Sequence, residues 1–154
     1  MVLEEPSKNF KMSSFGKLFV VGTPIGNLAD ITYRAVDTLN SVDFIFAEDT
    51  RVSKKLLNHY KIDKKIYSYH DHSKDSEVEK LTNLLENGND VALISDAGTP
   101  TVSDPGYRLI RECVKKGVDI VPIPGPSAVT AALSVAGLPS DSFTFVGFLP
   151  QKKG

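Results

Sequence analysis

The sequence contains a single cysteine, Cys113, among its 154 residues, and it contains no tryptophan. One cysteine cannot form a disulfide within the chain, and it cannot build a cysteine-based metal site. Cys113 falls in the apolar pattern of a helix, where a buried thiol packs as a small hydrophobic group. This cysteine usage indicates the cytoplasm, and no metal site is predicted.

Long hydrophobic runs are also missing. No stretch approaches the ~20 apolar residues that cross a bilayer, and the N-terminus lacks the apolar segment of a signal peptide. Residues 1–16 are polar, show no periodicity and include a second methionine, Met12. We interpret them as a disordered or non-native lead, and we expect no membrane partner.

The chain has no excess of charge of either sign. Eighteen Lys and Arg residues face 19 Asp and Glu residues, for a formal net charge of −1. This balance argues against a protein devoted to binding nucleic acid, but it leaves room for a local basic surface. A hydrophobic fraction of 41% is typical of one globular domain with its own core.

The common phosphate-binding motifs are absent as well. The first apolar run leads into a glycine-rich turn at residues 22–28, which reads GTPIGNL. This turn matches neither GxGxxG nor the Walker A pattern. The sequence therefore gives little support for a loop that binds the phosphates of a dinucleotide or a nucleotide. It remains a glycine-rich turn at the end of a strand.

The most informative stretch is residues 91–106, which read VALISDAGTPTVSDPG. The apolar run Val91–Ile94 predicts a strand that is buried on both faces. The next residues are rich in Gly, Pro, Ser, Thr and Asp and form a loop of about nine residues, longer than an ordinary strand-to-helix connection. We expect Asp104 to be the N-cap of the following helix and Pro105 its first residue. The stretch therefore predicts a ligand-binding loop.

Short apolar runs alternate with helical patterns along the whole chain. The predicted strands cover residues 18–21, 44–47, 66–69, 91–94 and 118–123, with a further strand-like run at 143–148. This alternation predicts an α/β fold: a mostly parallel five-stranded sheet with helices on both faces, in three α/β/α layers. The loops at residues 22–28, 95–104 and 124–128 all follow strands, so one cleft at the carboxyl edge collects them.

Ionisable residues cluster after the second and third predicted strands. Residues 48–51 read EDTR, and either a helix cap at Asp49 or Thr50 or part of a site explains them. Between residues 51 and 65 six basic side chains face one acid, which indicates a solvated helix face or a surface for phosphate backbone. Residues 70–72 read HDH, and we expect contact with a polar substrate there.

Several of these motifs together resemble one family. They are LFVVGTPIGNL at 18–28, AEDTR at 47–51, SYHDH at 68–72, SDAGTP at 95–100 with SDPG at 103–106, and PGPSA at 124–128. The chain resembles the ribosomal RNA small subunit methyltransferase I family, which has the tetrapyrrole-methylase fold. The resemblance implies transfer of a methyl group from S-adenosylmethionine to the 2′-hydroxyl of a cytidine in 16S ribosomal RNA of the small ribosomal subunit. It also implies a homodimer for the full-length protein.

The resemblance assigns roles to individual residues. The methyl donor is expected to contact Gly22, Thr23, Pro24, Gly26, Ser95, Asp96, Ala97, Gly98, Thr99, Pro100, Thr101, Val102, Ser127 and Ala128. The general-base candidates are Glu48, Asp49 and His70, and they are alternatively expected to shape the RNA pocket. Arg51, Lys54, Lys55 and Lys61 are expected to hold RNA phosphates.

The resemblance also implies a division into domains. Family members have two α/β domains with the donor between them. We therefore expect residues 17–142 to form the donor-binding domain and residues 143–154 to begin a linker or strand toward a second domain, so that this chain is not active alone. The alternatives left open are a tetrapyrrole or cobalamin-precursor methylase, a nicotinamide-dependent oxidoreductase, and a non-catalytic chain that binds the donor or RNA weakly.

Overall fold

The computed structural model describes residues 15–70 and 75–149, with five strands and five α-helices in alternation. In chain order these are β1 (Leu18–Val21), α1 (Tyr33–Ser41), β2 (Phe44–Ala47), α2 (Thr50–His59), β3 (Ile66–Ser68), α3 (Asp75–Glu86), β4 (Val91–Ile94), α4 (Tyr107–Lys116), β5 (Ile120–Ile123) and α5 (Ala128–Val135). One turn of 3₁₀-helix, Leu28–Asp30, lies between β1 and α1.

The strands form one sheet in the order β3-β2-β4-β1-β5, and every neighbouring pair is parallel. The predicted α/β fold is therefore confirmed, with a wholly parallel sheet. In β4, all the residues are buried, as expected of a strand with helices on both faces.

Two hydrophobic cores lie on opposite faces of this sheet. On one face, Leu18 and Leu93 pack with residues of α3 and α4, including Leu81 and Leu109. On the other face, the strands pack against α1 and α2. Each fully buried leucine contributes roughly 1.5–3 kcal/mol of transfer free energy, so both helix layers are held mainly by apolar burial. The three-layer arrangement follows from the two cores.

Cys113 lies in the first of these cores, as the sequence predicts. It is fully buried, and burial raises the pKa of its thiol to about 12. A thiol with such a pKa carries almost no thiolate at neutral pH and is chemically inert.

Three of the predicted strands differ in the structure, and the smallest difference is at β3, which ends at Ser68 instead of at residue 69. Residues 143–148 form no strand, and Phe143 and Phe148 remain 57% and 88% exposed. An extended run becomes a strand only when a neighbouring strand accepts its backbone hydrogen bonds, and the described sheet ends at β5. The last strand begins at Ile120, because Gly117 ends α4 in the left-handed conformation and Val118 still bonds to Cys113.

The predicted lead, residues 1–16, lies mostly outside the described residues. Gly16 is packed against the α3–β4 connection, where its N–H donates to the carbonyl of Leu85 (2.8 Å). A Cβ atom on Gly16 would lie 1.9 Å from the carbonyl oxygen of Asn89, so no larger residue fits without movement of the backbone. Residues 71–74 and 150–154 are likewise outside the described part, which includes His72 of the predicted substrate contact.

Candidate functional site

The three predicted loops meet at the carboxyl edge of the sheet. The loops follow β1, β4 and β5, which are neighbours in the strand order. Thr23 and Gly98 exchange backbone hydrogen bonds of 2.9 and 3.1 Å, which join the β1 loop to the β4 loop. The N–H of Gly22 donates to the carbonyl of Ile123 (2.9 Å), which joins the β1 loop to the end of β5. The loops therefore form one continuous surface.

Two glycines bring the β1 and β5 loops into backbone contact. A Cβ atom on Gly22 would lie 2.8 Å from the Cα of Gly125, and a Cβ atom on Gly125 would meet the backbone of Gly22 at the same distance. Real Cβ atoms do not approach backbone this closely, so both positions require glycine. Gly26 has a φ of 146° and open space where a side chain would stand. The β1 and β5 loops therefore pack backbone against backbone at this edge.

Two of the predicted donor-binding hydroxyls are buried and organise the loop. Thr23 Oγ1 donates to the carbonyls of Ser95 (3.2 Å) and Gly98 (3.3 Å). Ser95 is buried as well, and its Oγ lies 3.4 Å from the carbonyls of Ala97 and Gly98. Both residues lie in the predicted loops, and their side chains stabilise the loop conformation.

The β4 loop is held in an unusual backbone conformation. Gly98, Thr101, Ser103 and Gly106 all have positive φ, at 83°, 74°, 61° and 135°. Residues other than glycine rarely adopt such angles, and each one costs of the order of 1–3 kcal/mol. Thr101 is β-branched, which makes its left-handed conformation a stronger outlier. Strain of this kind clusters at ligand sites, and here it coincides with the loop that the sequence predicts to bind.

The predicted N-cap of α4 is wrong. The helix begins at Tyr107, its N-cap is Gly106, and no side chain caps it. Gly106 turns the chain at a φ of 135°, so Asp104 and Pro105 stay in the loop instead of opening the helix. Ser, Asp, Pro and Gly occur both in turns and in helix caps, so the sequence pattern at residues 103–106 did not distinguish the two.

Asp104 is a site residue that the sequence prediction missed. It is half-buried, and burial raises the pKa of its carboxyl, an effect that a hydrogen bond with Ser95 opposes and the nearby charge of Asp96 reinforces. Perturbed carboxyls of this kind are enriched at functional sites. The repeated Ser-Asp pair, at 95–96 and again at 103–104, is the sequence signal that indicates both carboxyls belong to one loop.

The β2–α2 corner lies beside the β4 loop, because Ala47 is in register with Ile94. Asp49 is the N-cap of α2, which confirms the cap interpretation, and its Oδ1 accepts from the backbone N–H of Arg51 (2.8 Å). The Arg51 guanidinium lowers the pKa of the Asp49 carboxyl to about 2. A carboxylate with such a pKa is a weak base at neutral pH, so this geometry favours Glu48 or His70 over Asp49 as a proton acceptor.

Glu48 lies nearer to the β4 loop than His70 does. Glu48 is half-buried directly after β2. His70 is exposed and follows Tyr69, whose N–H donates to the carbonyl of Ala47 (2.9 Å). Because β3 lies on the far side of β2 from β4, His70 stands one strand further from the loop than Glu48 does.

The start of α5 forms the third side of the edge. Ser127 is its half-buried N-cap and makes no side-chain capping hydrogen bond, and Ala128 is exposed. None of the residues of α5 is buried. Both predicted donor contacts therefore lie on the surface, next to the Gly22–Gly125 contact.

The predicted phosphate-binding side chains are all exposed. We call Arg51, Lys54, Lys55, Lys61 and Lys65, which lie on α2 and on the segment after it, the α2 basic surface. Lys64 is not part of it, because its Nζ donates to the carbonyl of Val42 (2.7 Å) and so caps the C-terminal end of α1. The hydroxyl of Tyr60 donates to the carbonyl of Leu28, which ties the end of α2 to the turn after β1.

One groove of the described residues lies away from this edge. It has a volume of about 470 Å³, and it lies between α3 and α4. Charged side chains line it, and some of them are paired, as in the contact between Lys115 and Glu112 (2.7 Å) and that between Lys116 and Glu86. None of the three loops contributes to this groove, so it is separate from the carboxyl edge.

Neither a membrane-spanning helix nor a cluster of metal-ligating side chains is found among the described residues. Within residues 15–70 and 75–149, no helix has the length and apolar character that a membrane span needs. The same residues contain no group of three or more His, Cys, Asp or Glu side chains arranged to hold a metal ion.

Comparison with known proteins matches the family described as tetrapyrrole (corrin/porphyrin) methylases over residues 17–153. The chain is 57% identical over 137 residues to "Ribosomal RNA small subunit methyltransferase I" of Mesorhizobium japonicum, covering 89% of this chain and 47% of that protein. It is 52% identical over 140 residues to the protein of the same name from Escherichia coli O157:H7, covering 91% and 49%. The chain therefore spans about half the length of these relatives.

Among solved structures, the fold is similar to a cobalamin-synthesis-related protein from Corynebacterium diphtheriae. The TM-score is 0.61 at 20% sequence identity, over 83% of this chain and 60% of that one. At this identity the similarity concerns the fold alone.

Proposed function

Because this chain belongs to the family of tetrapyrrole (corrin/porphyrin) methylases, we propose that it provides the donor-binding domain of an S-adenosylmethionine-dependent ribosomal RNA methyltransferase. The proposed reaction moves a methyl group to the 2′-hydroxyl of a cytidine in 16S ribosomal RNA. The observation that carries the proposal is the edge at which the loops after β1, β4 and β5 are joined by backbone hydrogen bonds and by the close approach of Gly22 and Gly125. Parallel α/β sheets bind ligands at this edge.

The residues at this edge suit a cationic donor in charge. The strained β4 loop exposes Asp96 and Ala97, and Gly26 has open space where a side chain would stand. The carboxylates of Asp96 and Asp104 offer negative charge to a cationic ligand. Residues 95–102 would hold the amino-acid part of the donor, and Ser127 and Ala128 would lie near its adenosine. Residues 17–142 form the donor-binding domain in this proposal.

S-adenosylmethionine supplies an activated methyl group on a positively charged sulfur. The chain's own residues then have two tasks. The loops position the ribose oxygen in line with the methyl carbon, and Glu48 or His70 accepts the proton that the hydroxyl loses as the carbon–oxygen bond forms. Asp49 stays ionised and holds Arg51 instead of taking that proton.

The α2 basic surface supports RNA as the substrate. Arg51, Lys54 and Lys55 lie on the helix that begins at the β2–α2 corner, directly beside the β4 loop, and Lys61 and Lys65 follow the end of that helix. Phosphate contacts of this kind position a nucleic acid while a target nucleotide leaves its stack to reach the cleft. The names of the relatives support ribosomal RNA of the small subunit. We also propose that the protein is cytoplasmic and that the full-length protein forms a homodimer.

A tetrapyrrole or cobalamin-precursor substrate is the second candidate, and it is favoured by the family description. The two candidates share the donor and differ in the second substrate. The α2 basic surface favours RNA, since several exposed cations between residues 51 and 65 suit a chain of phosphates. Measuring the affinity for an RNA oligonucleotide and the affinity for uroporphyrinogen distinguishes the two candidate substrates.

We expect the chain to bind S-adenosylhomocysteine weakly and to bind NAD not at all. Binding is expected to be weak because the chain spans half the length of its relatives, and therefore offers part of their contact area. Isothermal titration calorimetry with each compound measures this. An adenosine photoprobe should crosslink to residues 22–28, 95–103 or 124–130. Crosslinks confined to other residues would overturn the site, and binding of NAD alone would overturn the reaction class.

We expect Lys54→Glu with Lys55→Glu to lower RNA affinity about tenfold or more and to make its salt dependence shallower by about 1–2 in log–log slope. Both side chains are exposed on α2, and each contributes to the electrostatic attraction of phosphate. Fluorescence anisotropy with a labelled RNA oligonucleotide at several salt concentrations measures both quantities.

The matched control compares two single variants, Lys17→Glu and Lys54→Glu. Lys17 is also exposed, but it precedes β1 at the opposite edge of the sheet. Equal losses in the two single variants would mean that only net charge matters. An unchanged salt slope in the double variant would mean that α2 presents an ordinary solvated face and does not bind RNA.

A further inference from the structure

One hydrogen bond joins the β4 loop to the start of α2. The backbone N–H of Asp49 donates to Oδ1 of Asp96 at 3.0 Å, across 47 positions of sequence. The pair meets because β2 and β4 are neighbours in register, so that the second residue after each strand emerges side by side. Asp96 lies within the loop to which the proposed function assigns the donor.

This bond replaces a local one that α2 lacks. In a capping box, the third helical residue is Glu or Gln, and its side chain accepts from the N-cap's own N–H. In α2 the N-cap is Asp49 and the third helical residue is Val52, which has no acceptor. Asp96 therefore supplies from another loop the acceptor that the helix's own sequence omits.

The N-cap in turn holds an arginine side chain. Asp49 Oδ1 lies 3.2 Å from Nε of Arg51, and Oδ2 lies 2.8 Å from Nη2, which is a two-point contact. The Arg51 side chain is 88% exposed, and at such exposure an arginine normally samples many rotamers. Here one edge of its guanidinium is fixed, and its remaining N–H groups are available to a phosphate.

We propose that Asp96 is a positioning residue for RNA: it fixes the N-cap of α2 and, through Asp49, the guanidinium of Arg51 in the geometry that meets a phosphate. The inference rests on the proposed function, in which Arg51 contacts RNA. It changes the role of Asp96, which the sequence assigned only to the donor. It also couples the two ligands, because a donor that moves Asp96 changes RNA affinity, and RNA changes donor affinity by the same factor.

The test is a double-mutant cycle on RNA affinity, measured by anisotropy with a fluorescein-labelled, cytidine-rich RNA oligonucleotide. Arg51→Ala should lower the affinity about tenfold, as expected for loss of a charge-assisted hydrogen bond. Asp96→Ala should lower it by a similar factor, and the double variant should bind no more weakly than Arg51→Ala alone. Asp96→Asn should bind within about twofold of the wild type, since its amide oxygen still accepts from Asp49.

If only net charge mattered, Asp96→Ala would raise the RNA affinity instead of lowering it. Removing a carboxylate raises the affinity of a protein for a polyanion, so a loss of affinity requires the positioning role. Asp90→Ala is the matched control, because Asp90 precedes β4 and its Oδ1 accepts from the backbone N–H of Lys17 (2.8 Å) at the opposite edge. We expect this variant to bind RNA as well as the wild type or better.

A second readout needs no RNA. The Nε–Hε resonance of Arg51 should be sharp and protected from exchange in the wild type and in Asp96→Asn, and should broaden in Asp96→Ala. Unchanged resonances, or losses of RNA affinity that add in the double variant, would overturn the inference. A wild-type protein that binds RNA without salt dependence would instead overturn the proposed function, and the resonance would still decide the role of Asp96.

Discussion

The 154-residue chain by itself is expected to transfer no measurable methyl group to small ribosomal subunits. Methyl transfer needs the ribose oxygen, the methyl carbon and the sulfur in line, and such positioning is worth roughly 7–11 kcal/mol of the barrier. The chain spans about half the length of its relatives, so we expect it to supply only part of the contacts that hold the reacting groups in line. The remaining side of the reacting groups would then be left to water.

The exposed apolar side chains support this expectation. Phe143, Phe145, Val146, Phe148 and Leu149 are all at least half exposed, and none of the residues of α5 is buried. The stretch also passes the strained loop, since a Cβ atom on Gly147 would lie 3.1 Å from Oγ of Ser103. Apolar surface of this extent normally marks a contact. We expect it to be covered in an active protein.

The assay is incorporation of tritium from labelled S-adenosylmethionine into small subunits that lack the modification. The 154-residue chain is compared with the same chain joined to the remaining half of the relative from Mesorhizobium japonicum, and the full-length relative serves as the positive control. We expect transfer only from the longer proteins. Comparable turnover by the 154-residue chain would mean that this domain alone holds the reacting geometry.

The second large effect is expected from Gly106→Ala, which should lower affinity for S-adenosylhomocysteine more than tenfold. Gly106 has a φ of 135°, and its added Cβ would lie 2.8 Å from Cγ2 of Thr101 and 3.0 Å from Cδ2 of Leu93. Thr101 is itself in a left-handed conformation, so it has little freedom to move aside within the loop. We expect the free energy of unfolding to fall by about 2–4 kcal/mol, from backbone conformation and overpacking together.

Gly117→Ala is the matched control, because Gly117 ends the same helix that Gly106 begins. Its φ is 72°, and a Cβ atom there would meet no other atom within 4 Å. We expect a loss of about 1–2 kcal/mol of stability from backbone conformation and unchanged ligand affinity. Urea denaturation and calorimetry measure the two quantities. If both variants lose affinity in proportion to stability, the β4 loop has no special role in binding.

The fold was predictable from the sequence because its signals are local and repeated. Val91–Ile94 is a short apolar run bounded by polar residues, and it is buried on both faces as predicted. The polar loops after β1, β4 and β5 necessarily share an edge, since all strands of a parallel sheet end on the same side. Residues 143–148 show the limit of this reasoning, because an apolar run predicts a strand whether or not a partner strand exists.

The arrangement of the candidate site was decided by tertiary structure. Asp104 has the local pattern of a helix cap, and only the turn at Gly106 keeps it in the loop beside Ser95 and Asp96. The sequence likewise determined that Asp49 and Arg51 stand at the start of a helix. It did not determine that Asp96 holds this corner, because the bond joins residues 47 positions apart and depends on β2 and β4 being neighbours. Local patterns select elements, whereas strand order selects which side chains meet.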